Sequence, residues 1–282
     1  MCTKFSKSGA TVLLLGLFAL VLLARPPHSY PTETYSFGVV PQYDQRHLFR
    51  IWKPLLDLLQ ERAGLSFKLA TTKRIPEFEK DYEQGCYDFI YLNPYHLLKA
   101  SESQGYFPII CDRTDLHGIL VVRKDSPIED VKELNGKVVA FPSPNALGAS
   151  LLMRADLLRI YHLRFSPVYV NSHDSVYLHV VKGLADAGGG VQKTLQEQEE
   201  PVQDSLRILY TTRGIPSHPI AVHPRVPKSA TDKLISAFVE LQATKKGQEL
   251  LSKIPMNHPV PTSMDAYSIM KDWGLEPFWV EK

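Results

Sequence analysis

The chain is short of cysteine, of net charge and of catalytic signatures, and each shortage removes a class of function. Only Cys2, Cys86 and Cys111 occur among 282 residues, and no two of them stand at a metal-binding spacing. The ten histidines never fall into a metal-helix spacing with an acidic partner, so neither a metal nor any other cofactor is implied. Basic and acidic residues nearly cancel, 32 against 30, which speaks against the one-sided basic surface of a nucleic-acid binder. There is no Gly-x-Ser-x-Gly elbow, no phosphate loop ending in Lys-Ser/Thr and no dinucleotide fingerprint. Ser172, His173 and Asp174 are neighbours in sequence, which does not make them a triad. No internal repeat or low-complexity tract is present, and Gln196 to Glu200 reads as a solvated helix end.

What remains is the composition of an ordinary soluble protein, 44% hydrophobic and 22% charged, in a chain long enough for two lobes. It fits a small-molecule binder or an enzyme. The first 30 residues differ in kind. Lys4 and Lys7 precede an apolar run from Ala10 to Ala24, and Arg25-Pro26-Pro27 ends it. The run is short of the roughly 20 residues that a spanning helix needs. It reads as a secretory signal, or as a retained N-terminal anchor since no clean small-x-small cleavage site follows. Either way the remaining chain faces an oxidising compartment, the periplasm. There Cys86 and Cys111 either pair, in a bridge worth about 3 kcal/mol, or stay separate as small buried residues.

Beyond the leader, strand and helix signals alternate, which predicts an α/β fold with mostly parallel sheets flanked by helices. Strands are expected over 35–40, 65–70, 88–92 and 107–111. Helices are expected from Asp44 to Arg62, Ile75 to Gln84 and from Asn93-Pro94 onward. His117 to Arg123 and His218 to His223 look like connectors around a second alternation over 137–210, and helices resume from Lys228, the last near Thr262 to Asp272. An interrupted lobe implies two connections to the inserted one. The expected organisation is a leader over 1–30, one lobe from 34–117 and 219–282, and another over 118–218, with a two-segment hinge and a ligand cleft between them.

Ligands in open α/β sheets bind beyond the carboxyl ends of the strands. Four such ends run into helix starts: Pro41-Gln42-Tyr43-Asp44, Tyr91-Leu92-Asn93-Pro94-Tyr95, Ser143-Pro144-Asn145-Ala146 and Asn171-Ser172-His173-Asp174. Helix N-termini offer free N–H groups and favour anions. Tyr43, Tyr91 and Tyr95 either line the cleft or are ordinary half-buried tyrosines. Asn93 stands with them, and Asn145 is either a helix cap or a ligand contact. Ser143, Ala146 and Leu147 flank that turn. Ser172 and His173 open another helix, where His173 can donate to an anion. Asp186, beside Ala187-Gly188-Gly189-Gly190, either caps the preceding helix or approaches the ligand.

These residues carry a family likeness. Pro41 to Asp44, Gly85 to Tyr95, Leu120 to Pro127, Leu134 to Phe141, Ser172-His173 and Gly183 to Gly188 together resemble the phosphate/phosphite/phosphonate substrate-binding proteins of ABC importers. The resemblance runs from about Tyr35 to Ile254 and implies a two-lobed periplasmic binding protein of type II-like form. It also implies a monomer that closes on a small anionic ligand and passes it to a membrane permease, without nucleic acid. The second-lobe turn of phosphonate binders is rich in serine and threonine. Here Asn145-Ala146-Leu147-Gly148 stands in its place, leaving backbone N–H groups, Ser143 and His173 as donors. A sensory or adaptor protein on the same fold is the alternative, and an enzyme the remoter one.

Overall fold

The computed structural model describes residues 33–254 and 256–281. The leader expected over residues 1–30 lies outside the described residues. Among the described residues no helix is long and apolar enough to cross a membrane.

Strand β1 (Thr34–Val39) leads into helix α1 (Gln45–Ala63). The carboxylate of Asp44 starts that helix by accepting from the N–H groups of Arg46 at 2.8 Å and His47 at 3.1 Å. Gly64 ends it in the left-handed conformation, φ 62°. Leu48, Ile51, Leu55, Leu58 and Leu59 form its buried face, as their helical spacing predicts. Next come β2 (Ser66–Thr71), α2 (Ile75–Glu83), β3 (Phe89–Tyr91), α3 (Pro94–Gln104) and β4 (Phe107–Asp112). The inserted part holds β5 (Gly118–Arg123), β6 (Val138–Phe141), α4 (Leu152–Arg159), β7 (Ser166–Tyr169), α5 (His173–Val181) and β8 (Ala187–Val191). It ends with α6 (Gln192–Gln196), α7 (Glu200–Asp204) and β9 (Leu206–Thr211). The chain returns through β10 (Ile220–Val222), α8 (Lys228–Leu241), α9 (Lys245–Leu251), β11 (Pro259–Pro261) and α10 (Asp265–Ser268). The last helix is shorter than expected, because Ile269–Trp273 tightens into a 3₁₀ turn.

These elements build two sheets, one in the order β11-β4-β10-β3-β1-β2 and one in the order β7-β6-β8-β5-β9. The sheets are mixed rather than mostly parallel. β1 pairs in parallel with β2 and β3, and β6 with β7 and β8, whereas β10 and β5, the strands next to the crossings, run antiparallel to their neighbours. The two crossings are zipped together. Leu116 and Ile215 exchange N–H···O bonds of 2.8 and 2.9 Å, and Gly118 exchanges bonds with Thr212 through its carbonyl at 2.9 Å and its N–H at 3.0 Å. Cys86 is exposed and Cys111 half-buried, and both are free thiols rather than a bridge.

Between the sheets lies a wide turn, Leu147–Leu151, with the i→i+5 bond of a π-helix from the Leu151 N–H to the Ala146 carbonyl at 3.0 Å. Ala146, Leu147, Ala149, Leu151 and Leu152 belong to the apolar core of the first sheet, while Met153 and Leu157 of the adjoining α4 belong to that of the second. Two glycines let this turn settle onto its own sheet. A Cβ at Gly118 would stand 2.2 Å from the Gly148 carbonyl oxygen, and one at Gly189 2.0 Å from the Ala149 carbonyl oxygen. Replacement of Gly189 by Ala forces the turn off β8. It is expected to cost about 1–3 kcal/mol, the usual range for overpacking, and a chemical-denaturation midpoint measures it.

Candidate functional site

The antiparallel setting of β10 decides what gathers where the two sheets meet. Parallel β1 and β3 end at one edge of the first sheet, and β10 begins at that same edge, so Pro219 O accepts from the Leu92 N–H at 3.3 Å. Val40 and Gln42 after β1, Asn93 after β3 and His218 before β10 therefore line one cavity. The second sheet contributes Ala146 to Ala149, His173 at the start of α5 and Val191 at the end of β8. The cavity amounts to about 20 Å³, room for roughly one water-sized group. Two hydrogen bonds cross it, from the His173 N–H to the Gln42 carbonyl at 3.4 Å and from Asn93 Nδ2 to the Asn145 carbonyl at 3.2 Å. Wider grooves exist elsewhere, one of about 700 Å³ beside Phe107 and Met264, but that one is lined by elements of the first sheet only.

Among the described residues no lysine or arginine lines the cavity. Its donors are dipoles. The N–H groups of Leu147, Gly148 and Ala149 have no acceptor among the described residues, and Ala146 at the N-cap position offers no side-chain oxygen. His218 is 7% exposed, and its Nδ1 is buried without a partner. Tyr91, whose ring centroid lies 5.4 Å from that of His218, has a buried hydroxyl equally unpartnered. Unpaired polar groups at such depth are costly in a finished core and call for a guest. Burial lowers the pKa of His173 to about 4 and that of His218 to about 3, the latter helped by His96 and His173 nearby.

The residues singled out from the sequence divide at this cavity. Asn93, Ala146, Leu147 and His173 line it. The Asn93 side chain is fully engaged, accepting from the His96 N–H at 2.8 Å and donating to His96 Nδ1 at 3.0 Å and to the Asn145 carbonyl. Tyr43, Tyr91 and Ser143 are buried but outside the lining, and the Ser143 hydroxyl has no partner. Ser172 caps α5 through the Ser175 N–H. Tyr95 turns away and donates to Glu276 at 2.6 Å. Asn145 is neither cap nor lining, because both ends of its amide bond the backbone of Val280, at 2.9 and 3.0 Å. Asp186 sits at the start of β8, the edge opposite Val191, and accepts from the Val138 N–H at 2.9 Å. Gln42, Gly148 and His218 were not singled out. The signal for His218 was its place just before a returning strand, readable only once that strand is known to run antiparallel.

Asn145 is one point on a strap. The segment from Trp273 to Val280 ties α3 of the first part to α4 of the second. Glu276 accepts from Lys99 at 2.7 Å, and Trp279 packs against Tyr95 at 5.5 Å between ring centroids. On the other side Arg154 donates to the Phe278 carbonyl at 2.6 Å, and Arg159 to those of Trp273 at 3.1 Å and Gly274 at 2.6 Å. The strap thus holds the cavity's wide turn against both halves.

A family model described as the phosphonate periplasmic substrate-binding protein of ABC transporters matches residues 37–267. A phosphate-import protein of Mycolicibacterium smegmatis is 20% identical over 239 residues, covering 77% of this chain and 74% of that protein. The solved binding component of an ABC phosphonate transporter from Pseudomonas aeruginosa superposes with a TM-score of 0.75 at 15% identity, over 88% of this chain and 86% of that one. A Prochlorococcus marinus protein solved with methylphosphonate gives 0.77 at 15% identity, over 86% and 98%. At such identity the solved structures establish a shared fold.

Two outcomes follow from the site's geometry. The unfolded chain protonates its histidines near the ordinary pKa of about 6.5, before the folded protein protonates His173 or His218. The stability gained by keeping them neutral is therefore complete above that pH and lost as pH falls towards about 4 and then 3. The melting temperature should fall on acidification below neutrality, less steeply in His218→Asn. For the strap, Asn145→Ala removes both bonds to Val280 and is expected to cost about 1–3 kcal/mol, read from the urea midpoint.

Proposed function

The chain belongs to the phosphonate periplasmic substrate-binding proteins of ABC transporters, and from that membership we propose that it captures a small phosphorus oxyanion between its two sheets for a membrane permease. The observation that carries the reading is the set of uncapped N–H groups at Leu147, Gly148 and Ala149, residues that line a cavity where His218 also lacks a partner among the described residues. Such a helix start holds an anion without a formal positive charge. Gln42, His173 and His218 complete the shell, and Tyr91 backs His218. The relatives' phosphate and methylphosphonate set the ligand class to test first.

One lobe then comprises 34–117 with 219–282 and the other 118–218. A cavity of about 20 Å³ leaves no room for a substituted tetrahedral anion, so the lobes part about the zipped crossings to admit it. We place the protein in the periplasm as a monomeric receptor, held or released by its leader, and not as an enzyme. The family's role as substrate-binding component supports this.

A thermal-shift screen of the protein against phosphate, phosphite, methylphosphonate, sulfate and acetate tests the proposal. A ligand at about 100 times its dissociation constant adds roughly 2.7 kcal/mol, readily seen in the melting temperature. A selective shift with a phosphorus oxyanion is the expected result. No shift with any of these anions would overturn the transport reading in favour of an adaptor with a different ligand.

A further inference from the structure

The hydrogen bonds behind His173 favour one of its ring nitrogens as the carrier of hydrogen. Its Nδ1 lies 3.2 Å from Thr194 Oγ1, which also lies 2.9 Å from the Val191 carbonyl and 2.7 Å from the Tyr177 hydroxyl. All three side chains are buried. Threonine and tyrosine bring one hydroxyl hydrogen each. If Thr194 donates to Val191 and Tyr177 to Thr194, both short oxygen–oxygen contacts contain a hydrogen. Turning the Thr194 hydrogen towards His173 leaves either the 2.7 Å or the 2.9 Å contact without one. The Tyr177 hydroxyl also lies 3.2 Å from the Val191 carbonyl, so the arrangement that keeps a hydrogen in both short contacts is the one in which Nδ1 of His173 donates to Thr194. In a neutral imidazole that leaves Nε2 as a bare acceptor. No described residue bonds to Nε2, and the ring lines the cavity.

The surroundings keep the ring neutral. Burial lowers its pKa to about 4. From its own helix Asp174 accepts from Gln198 at 2.7 Å, from α6 it meets Thr194, whose neighbour Lys193 pairs with Glu197 at 2.5 Å, and from the first sheet's edge come Gln42 and His218. Lys193 is neutralised by its own partner, and no carboxylate among the described residues bonds to the ring to hold a proton there.

Resting on the oxyanion reading, we infer that this pocket selects a protonated oxyanion: a singly charged species whose own O–H donates to Nε2 of His173 while its other oxygens take the N–H groups of Leu147 to Ala149. A fully deprotonated anion would set an oxygen lone pair against the bare nitrogen. Such a site discriminates by an unpaired acceptor as well as by charge.

Titration calorimetry of the protein with methylphosphonate and methanesulfonate, across the second ionisation of the phosphonate, decides the matter. At the acid end both ligands carry one negative charge and nearly the same shape, and only the phosphonate has an O–H. Methylphosphonate should bind at least about a hundredfold more tightly there, as expected where a site hydrogen-bonds a ligand hydroxyl. Its affinity should fall by about tenfold per pH unit beyond the second ionisation. Thr194→Val, which removes the acceptor for Nδ1–H, should narrow the ratio, and the wild-type series stands alone if that variant does not fold. Equal binding of the two ligands, or phosphonate affinity that rises with pH, would overturn the inference and leave the oxyanion reading intact. Absence of binding by either ligand at every pH would overturn the oxyanion reading itself, and this inference with it.

Discussion

The closeness of the wide turn at Leu147–Leu151 to strands β5 and β8 governs most of what happens between the sheets. Backbone can approach backbone this tightly only where no Cβ intervenes, and Gly118 and Gly189 provide that at the two strands concerned. Seated there, the turn sets its Gly148 and Ala149 carbonyl groups against the strands and leaves its first N–H groups without an acceptor among the described residues. Its apolar side chains then join the first sheet's core while Met153 and Leu157 of α4 belong to the second. One stretch of chain is thus donor set, core plug and contact between the halves. A turn standing further from the strands would lose all three together.

The cavity's electrostatics follow from that arrangement. A charged lysine or arginine in so small a space would carry a heavy desolvation cost whenever no anion was there to meet it. Amide dipoles and neutral imidazoles cost less to bury and are already oriented. The neighbouring Glu79–His96 pair, 3.0 Å apart and wholly buried, serves a different purpose. The Glu79 carboxylate accepts from Nε2 of His96 while Asn93 donates to Nδ1, which fixes Asn93 and through it the Asn145 carbonyl. Asn93 and His96 are thereby engaged on both sides, whereas Tyr91 and His218 beside them keep buried polar atoms without a partner among the described residues.

Much of this fold was legible before the structure. Asp44, Gly64, the Asn93-Pro94 start and the apolar faces of the helices are local signals, and local signals show in sequence. The place of His173 was also readable, since it opens a helix after a strand. What stayed hidden depends on partners remote in the chain. Asn145 reads equally as a cap or a ligand contact, and Tyr95 as a cleft wall or an ordinary half-buried tyrosine, because nothing near them points to Val280, 135 residues from Asn145, or to Glu276, 181 residues from Tyr95. For Asp186 the sequence leaves a helix cap and an approach to the ligand equally open, and the glycines beside it serve the packing of Val176, Phe141 and Tyr177 and the wide turn. His218 was overlooked because strand direction, which sets the edge a residue occupies, is not a property of the strand's own sequence.

The threading of the first sheet has a consequence for how the molecule assembles. Its central β10 lies between β3 and β4 but arrives only after the whole inserted sheet has been traversed. Until then β3 and β4 have no shared neighbour and their facing edges are open. The inserted sheet is contiguous in the chain from β5 to β9, so its loop-closure cost is smaller and its contacts form sooner. Assembly of the first sheet is accordingly the late, non-local step. During that interval the exposed strand edges are the part of the chain most open to pairing with another copy.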